Sequence, residues 1–279
     1  MAGGMVILAV DLPGVGLTRR VRAATSRRTM CGRFALDATA AQLAELFALA
    51  ELEDFPSRFN IAPTQPVLAI LNGPARVIGS NLPQRIALLV RWGLIPGWTK
   101  DPRALPLLFN ARSETAAEKA SFKAAFCHRR ALIPATGFYE WRRDGGGKRS
   151  QPFYVRPRRG GVIAFAGLVE TYLEPGGSEI DTGAILTTRA IGEIAGIHDR
   201  MPVVIREEDF ARWLDCTTRE PRDVADLLEP VEPDFFEAVP VSDKVNKVDN
   251  MGPEVQAPVA GTALRSVEER PAPRQMELF

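Results

Sequence analysis

The sequence is poor in the residues that build cross-links and metal sites. Its 279 residues include three cysteines, Cys31, Cys127 and Cys216, and two histidines, His128 and His198. An odd number of widely spaced cysteines without a CxxC pair indicates neither a disulfide framework nor a zinc site, and it fits a reducing compartment. Two histidines leave few candidates for imidazole chemistry.

Long apolar runs and a strong charge bias are also missing. No apolar run approaches the roughly 20 residues that a transmembrane helix needs, and 35 basic against 34 acidic residues give a formal net charge of +1. This near-neutral total conceals a basic segment at 129–159 and an acidic one at 207–237. A local basic field suits a polyanion, whereas a solvated surface of mixed sign is the alternative explanation.

The most distinctive stretch is Met-Cys-Gly-Arg-Phe at residues 30–34, where a non-periodic leader gives way to patterned sequence. We interpret residues 1–29 as a mis-assigned start or a removable leader. Their apolar run, Val6 to Val10, precedes their arginines, which is the reverse of a secretory signal. An organelle transit peptide is the weaker option. With Met30 as the start, or after cleavage, Cys31 becomes the N-terminal residue.

An N-terminal cysteine has a reactivity that an internal cysteine lacks. Its free α-amine and its thiol, with ordinary pKa values of roughly 7.7–8.0 and 8.5, lie on adjacent carbons. Together they can capture an aldehyde as an imine and close it to a five-membered thiazolidine ring. The alternative is that Cys31 is a small buried hydrophobe.

The remaining pattern predicts an α+β fold with a largely antiparallel sheet, curled toward a barrel, and peripheral helices. Short strands bounded by turns recur from Pro66 to Thr188, and they are interrupted by a helix predicted to open at Asn110 and run through Phe126. Further helices are predicted at 189–196, 207–215 and 221–228. We expect one domain at 30–252 and a disordered tail at 253–279, where periodicity is lost.

Three polar positions besides Cys31 stand out as candidate site residues. Glu140 lies between Tyr139 and Trp141, where desolvation would suit it to acid/base work, although a strand glutamate facing solvent is equally consistent with alternation. His198 can shuttle protons or be structural. Asn110 falls at a predicted helix start, where it can meet an anion or simply cap the helix.

Aromatic and basic residues could together bind a nucleic acid. Arg112 shares the predicted helix start with Asn110, where side chains and amides can meet phosphate. Trp92 and Trp141 could stack on bases beside a basic groove, or they could belong to the core.

Six motifs in order carry a family resemblance: MCGRF, the NIAPT loop at 60–64, WGLIP, NARSET, RALIPATGFYEW and GIHDRMP. Over about residues 30–250 the chain resembles the SOS-response-associated peptidase (SRAP) family, whose members cross-link to abasic sites in single-stranded DNA. The resemblance implies the SRAP fold and a catalytic set of four residues: Cys31, Asn110, Glu140 and His198.

The resemblance also implies the role of each residue. Cys31 would form the thiazolidine with the ring-opened aldehyde of the abasic sugar, Asn110 would position it, Glu140 would act as acid/base in ring closure and reversal, and His198 would help protonate or open the sugar. Seven residues would contact the DNA: Arg33, Asn60, Trp92, Arg112, Arg130, Trp141 and Thr187. The peptidase name refers to removal of whatever precedes the cysteine, and no metal or organic cofactor is implied.

The 29 residues before Met30 depart from the family pattern, because Cys31 has no free amine while they are attached. Two other functions therefore remain open. One is a cysteine peptidase acting on other proteins, with Cys31, His198 and Asn110 as nucleophile, base and orienting group. The other is a non-covalent single-stranded DNA binder.

The last five residues, Gln275 to Phe279, resemble the QxxLF peptide by which bacterial replication proteins dock into the sliding clamp. Gln275, Leu278 and Phe279 would be its contacts, on a disordered tether. We expect a monomer in the bacterial cytoplasm, associated with the nucleoid.

Overall fold

A computed structural model describes residues 32–73, 84–143 and 150–259. The predicted leader, Cys31 and the predicted clamp-binding peptide at 275–279 lie outside these residues. Strands carry most of the fold: β1 (Phe34–Leu36), β2 (Arg58–Ile61), β3 (Pro66–Asn72), β4 (Arg85–Trp92), β5 (Asn110–Arg112), β6 (Arg130–Ala135), β7 (Gly137–Arg143), β8 (Ser150–Pro157), β9 (Ile163–Leu173), β10 (Glu179–Arg189), β11 (Arg200–Pro202), β12 (Val204–Ile205) and β13 (Phe236–Pro240).

Five of these strands close into a barrel. β10 pairs with β4, β4 with β3, β3 with β6, β6 with β9, and β9 pairs back with β10. Each of these pairings is antiparallel except the parallel contact between β10 and β4. The expected α+β fold with a curled, largely antiparallel sheet is therefore confirmed.

A second sheet, in the order β13-β8-β7-β1-β2, packs on the barrel. The rings of Phe34 on β1 and Phe138 on β7 both meet Phe165 of the barrel strand β9 edge-on, with centroids 6.0 and 6.1 Å away. Edge-to-face contacts of this kind are a favoured packing of aromatic rings. The main core lies between the two sheets and inside the barrel.

The helices are short and lie outside the strand layers: α1 (Ala40–Leu46), α2 (Ser113–Ala116), α3 (Lys123–His128), α4 (Gly192–Ala195) and α5 (Phe210–Leu214). Single 3₁₀ segments occur at Pro102–Ala104, Glu207–Asp209, Pro221–Leu228, Asp243–Asn246 and Pro253–Gln256. A capping box between Thr39 and Gln42 begins α1. No helix in the described ranges is long and apolar enough to cross a membrane.

Three sequence-based expectations need correction. The predicted helix from Asn110 to Phe126 is two short helices, α2 and α3, preceded by strand β5, because residues 110–112 pair with β10. The predicted helix at 189–196 shortens to α4, since β10 continues through Arg189. The segment 221–228 is 3₁₀ rather than α-helical.

The folded domain also extends past its predicted end at residue 252. Val255 is fully buried, Pro258 forms a bridge with Val241, and the Val259 N–H donates to the Pro240 carbonyl over 3.0 Å. Residues 253–259 therefore belong to the fold, and residues 260–279 lie outside the described part.

Arg130 is a buried structural residue rather than a surface DNA contact. Only 1% of it is exposed, and its guanidinium donates to the carbonyls of Trp213, Phe126, Asp215 and Arg219 at 2.7–3.0 Å. Burial lowers the pKa of this guanidinium from its usual value. The side chain thus ties β6 to the end of α5 and the loop that follows, and its expected contact with DNA is corrected.

We predict that Arg130→Met lowers the free energy of unfolding by about 3 kcal/mol, because several buried carbonyls lose their donor. Urea denaturation measures this loss. The control is Arg103→Met, which removes an arginine that is 90% exposed and should leave the denaturation midpoint unchanged. Equal stability of Arg130→Met and the unsubstituted protein would contradict the structural role.

Candidate active site at the junction of the two sheets

Glu140 lies where β1 runs back along β7. Phe34 pairs with Phe138, and the Tyr139 N–H donates to the Arg33 carbonyl over 3.0 Å, so Glu140 is the next residue along β7. Because side chains alternate along a strand, Glu140 shares the inner face with Phe138. Tyr139 and Trp141 take the other face, which is covered by the cluster around Val241, Val245 and Val255.

With both faces of β7 covered, Glu140 is 3% exposed. The alternative of a solvent-facing strand glutamate is therefore wrong. Its carboxylate lies 4.0 Å from Nδ1 of His198, which is 7% exposed. Two of the predicted catalytic residues are thus adjacent, although one belongs to the second sheet and the other to a loop of the barrel sheet.

The backbone fixes how His198 presents its two ring nitrogens. Its loop joins α4 to β11, and the Arg200 N–H donates to Nδ1 over 3.0 Å. A neutral His198 therefore carries its proton on Nε2, which is buried and has no hydrogen-bond partner among the described residues. Asp199 and Glu140 approach Nδ1 at 3.1 and 4.0 Å, so they would accept an Nδ1–H only in the doubly protonated ring.

The end of β10 organises the neighbouring residues. Ile185 pairs with Asn110 of β5, and Thr187 pairs with Arg112 on one side and Pro202 of β11 on the other. Thr187 is fully buried, and its hydroxyl donates to the Ala111 carbonyl over 3.3 Å. Asn110 consequently sits on a strand rather than at a helix start, and the idea that it caps a helix is wrong.

Arg200 and Glu114 connect this strand end to the His198 loop, and the sequence reasoning missed both. The Arg200 guanidinium donates to both carboxylate oxygens of Glu114, one at 2.7 Å, and to the Thr187 carbonyl. Hydrogen bonding to Arg200 lowers the pKa of Glu114. Their places in the NARSET and GIHDRMP motifs were the available signal.

Trp92 belongs to the core, which was the alternative interpretation. The prediction that it stacks on DNA bases is therefore wrong. It is 1% exposed, and its Nε1–H donates to the Phe109 carbonyl over 2.8 Å. Its ring meets Phe34 and Phe109 edge-on, with centroids 5.1 and 5.8 Å away. Trp92 therefore fixes the distance between β1 and β5, and so acts on Asn110 through packing.

Arg33, Asn60 and Trp141 hold the segment 245–250 against the second sheet. Arg33 donates to Oδ1 of Asn60 at 2.9 Å and to the Val245 carbonyl at 2.6 Å, and the Asn60 amide donates to three carbonyls of that segment. Trp141 Nε1–H donates to Oδ1 of Asn246 over 2.7 Å. Asn60 is buried, whereas Arg33 and Trp141 are half-buried.

The exposed candidates for nucleic-acid contact are Arg112 and Trp98. Arg112 follows the buried Ala111 on β5 and points to solvent. Trp98, which the sequence reasoning did not single out, is 60% exposed, with its Nε1–H 3.4 Å from the Ala120 carbonyl. Its place two residues after the WGLIP motif was the only signal in the sequence. In the described ranges no three His, Cys, Asp or Glu side chains group as metal ligands.

Sequence similarity to known proteins covers most of this chain. It is 39% identical to "Abasic site processing protein YoqW" of Bacillus subtilis over 230 residues, covering 81% of this chain and 98% of that protein. It is 34% identical to "Abasic site processing protein YedK" of Escherichia coli, covering 82% and 100%. "Abasic site processing protein HMCES" of Gallus gallus is 29% identical, covering 82% and 78%.

Solved structures have the same fold. A protein from Bacteroides thetaiotaomicron superposes with a TM-score of 0.67 at 23% identity, covering 82% of this chain and all of that one. A protein from Bordetella bronchiseptica superposes with a TM-score of 0.63 at 26% identity, covering 76% and 100%.

A sequence model of one family spans the described domain. The model of SOS response associated peptidase (SRAP) matches residues 30–248, which includes every motif on which the resemblance was based. The chain belongs to the SOS response associated peptidase family.

Proposed function

We propose that this protein processes abasic sites in single-stranded DNA and forms a covalent DNA–protein cross-link through Cys31. The observation that carries the proposal is the buried pair of Glu140 and His198, 4.0 Å apart beside the strand that begins just after Cys31. A buried carboxylate and imidazole suit proton transfer next to a nucleophile. The names of the relatives and the family match from Met30 support the same function.

The proposed reaction has two steps. The α-amine of Cys31 attacks the aldehyde of the ring-opened abasic sugar, and the adduct loses water to form an imine. The thiolate then adds to the imine carbon, the imine nitrogen takes up a proton, and the thiazolidine ring closes. Both reacting groups belong to one residue, so the second step is intramolecular and has the advantage of proximity.

The surrounding residues have separate roles in this scheme. Glu140 transfers protons during imine formation, ring closure and reversal, and His198 donates from Nε2 to the sugar oxygen during ring opening. Asn110 positions Cys31. The tautomer that the Arg200 N–H imposes on His198 supports the donor role.

The free amine that this chemistry requires arises in one of two ways. Met30 is the first residue translated and is removed, or the protein cleaves the bond before Cys31 itself. The second route would be a peptidase activity that acts on the chain itself, and the word peptidase in the family's description is consistent with it. The proposed role would place the protein with chromosomal DNA at the bacterial nucleoid.

Single-stranded DNA would bind along the exposed side of β5. Arg112 is available for a phosphate contact, and the face of Trp98 is available for stacking on a base. Trp141 can add a second stacking face, since its ring is half-buried and its N–H is already used by Asn246. Arg33 and Asn60 would contribute by holding the segment 245–250, and Thr187 by holding β5.

The cross-link is tested by intact-mass measurement before and after mixing with single-stranded DNA that carries one abasic site. We expect a chain that begins at Cys31 to gain the mass of the DNA minus one water, and Cys31→Ala to gain nothing. Glu140→Gln, which keeps the shape but cannot transfer a proton, should form the adduct at least ~100-fold more slowly.

A matched control is Glu237→Gln. Glu237 lies on β13, at the edge of the second sheet, where it pairs with Arg156 of β8, so its neutralisation should leave the rate unchanged. A chain that begins at Cys31, binds the DNA and never gains mass would overturn the cross-linking proposal. It would leave the peptidase and the non-covalent binder as explanations.

Stacking by Trp98 predicts that Trp98→Ala weakens binding to undamaged single-stranded DNA by about tenfold, as expected for the loss of one base–aromatic stack. Fluorescence anisotropy of labelled DNA measures the affinity. Leu89→Ala removes a side chain that is 70% exposed on β4 and serves as the control, with unchanged affinity. Equal affinities for all three proteins would exclude Trp98 from the binding surface.

We also propose that the peptide at 275–279 docks into the sliding clamp, with Leu278 and Phe279 as pocket anchors. Deleting the five residues should abolish clamp binding in a pull-down with purified clamp, while cross-linking to DNA continues. The control, Leu264→Ala/Val267→Ala, changes two apolar residues that precede the peptide, and this variant should bind the clamp normally. Clamp binding that survives the deletion would contradict the assignment.

A further inference from the structure

A large apolar cavity has none of Asn110, Glu140 and His198 in its lining. Its volume is about 690 Å³, within the range of ligand pockets, and it opens between β2, the hairpin of β3 and β4, and the segment 50–55. Its lining includes six large apolar side chains: Leu52, Phe55, Ile61, Val67, Ile86 and Leu88. Leu89 at its rim is 70% exposed.

Two arginines give this cavity a positive interior. Arg58 donates to the Pro66 carbonyl and to Oε1 of Gln65, and Arg85 donates to the Phe47 carbonyl over 2.9 Å. Both are half-buried, and desolvation lowers the pKa of both guanidinium groups. In the described ranges neither forms an ion pair with a carboxylate, although the negative charge of Glu207 acts on Arg85. Arg58 is therefore the better partner for an acidic group.

The rim of the cavity has the opposite charge. Glu51, Glu53 and Asp54 are exposed on the segment that borders it. A matching occupant has apolar side chains for the walls and an acidic group for the arginines at its inner end. Basic residues that precede this end would contact the acidic rim.

We propose that this cavity is a docking site for the chain's own segment 270–279. Leu278 and Phe279 supply apolar side chains for the walls, and Glu277 lies next to them for Arg58 and Arg85. Arg270 and Arg274 precede this apolar end and match the acidic rim. The order of charges along the segment therefore follows the order from rim to interior.

The segment also has the right reach. The last described residue, Val259, is hydrogen-bonded to β13, and β2 is the fifth strand of the same sheet, about 19 Å away at the usual spacing between strands. Eighteen residues separate Val259 from Leu278, and a random coil of that length has a root-mean-square span of about 23 Å. Tethering then gives an effective concentration of about a millimolar, so weak contacts suffice for docking.

Docking would hide the anchors proposed for the clamp, so the cavity and the clamp would compete for the same segment. The inference does not depend on the proposed DNA chemistry, and it is testable with neither DNA nor clamp present. Its failure would leave the cross-linking test unaffected.

Hydrogen exchange of the full chain, read by mass spectrometry, tests the proposal. None of the backbone N–H groups at 50–57 donates to another described residue, so their exchange reports whether something covers the cavity. We expect exchange at 50–57 to be about tenfold slower in the unsubstituted chain than in Leu278→Ala/Phe279→Ala. These substitutions lie outside the described residues and remove none of the core contacts that the structure shows.

The matched control, Leu264→Ala/Val267→Ala, should retain the slow exchange. Arg58→Glu and Glu277→Arg should each accelerate exchange, and combining them should restore protection. The proposal is overturned by equal exchange in the unsubstituted and Leu278→Ala/Phe279→Ala chains, or by equal acceleration in the control. Protection that persists in Leu278→Ala/Phe279→Ala and grows with protein concentration would instead assign the cavity to a second copy of the chain.

Discussion

Strand β10 pairs with four other strands, and this pairing determines where the candidate catalytic residues lie. Along one edge it meets β4 and then β5, both parallel to it, and along the other it meets β9 and then β11. The contact with β4 closes the barrel. Gly93, at φ 139°, turns the chain away after Trp92, so β5 can take over the same edge. Asn110 and the His198 loop are thereby carried to one end of the barrel.

The second constraint is the burial of polar groups between two sheets. Glu140 and His198 are nearly inaccessible, and buried polar groups are costly unless they are held in defined hydrogen bonds. For Nδ1 of His198 the backbone N–H of Arg200 meets this requirement, and the ion pair of Arg200 and Glu114 holds the loop that carries this donor. A site built this way keeps its geometry before substrate arrives, which is what proton transfer needs.

Sequence reasoning was most reliable where a local pattern decides the outcome. Short strands separated by turns follow from the spacing of apolar and turn residues alone. It failed where tertiary pairing overrides local preference. Residues 110–112 precede a helix-forming segment, yet their pairing with β10 makes them a strand.

The same limit applies to the site residues. Sequence motifs indicated that Glu140 and His198 matter, but spacing cannot reveal that a strand of one sheet and a loop of the other bring them within 4.0 Å. Sequence also cannot tell a surface arginine from a buried one. Arg112 and Arg130 are both motif arginines, yet the first is exposed and the second donates to four backbone carbonyls.

On the proposed mechanism, these supporting contacts explain why so many motif residues surround one reactive cysteine. The amine and thiol of Cys31 are already arranged for ring closure, so the protein must supply only proton transfer and the placement of the sugar. Trp92 fixes the spacing of β1 and β5, Arg200 and Glu114 fix the His198 loop, and Asn60 fixes the segment 245–250 behind Trp141. Each acts at a distance from the reacting atoms, and small displacements of reacting groups have large effects on rate. We infer that most of the motif residues hold the site and that only a few touch the DNA.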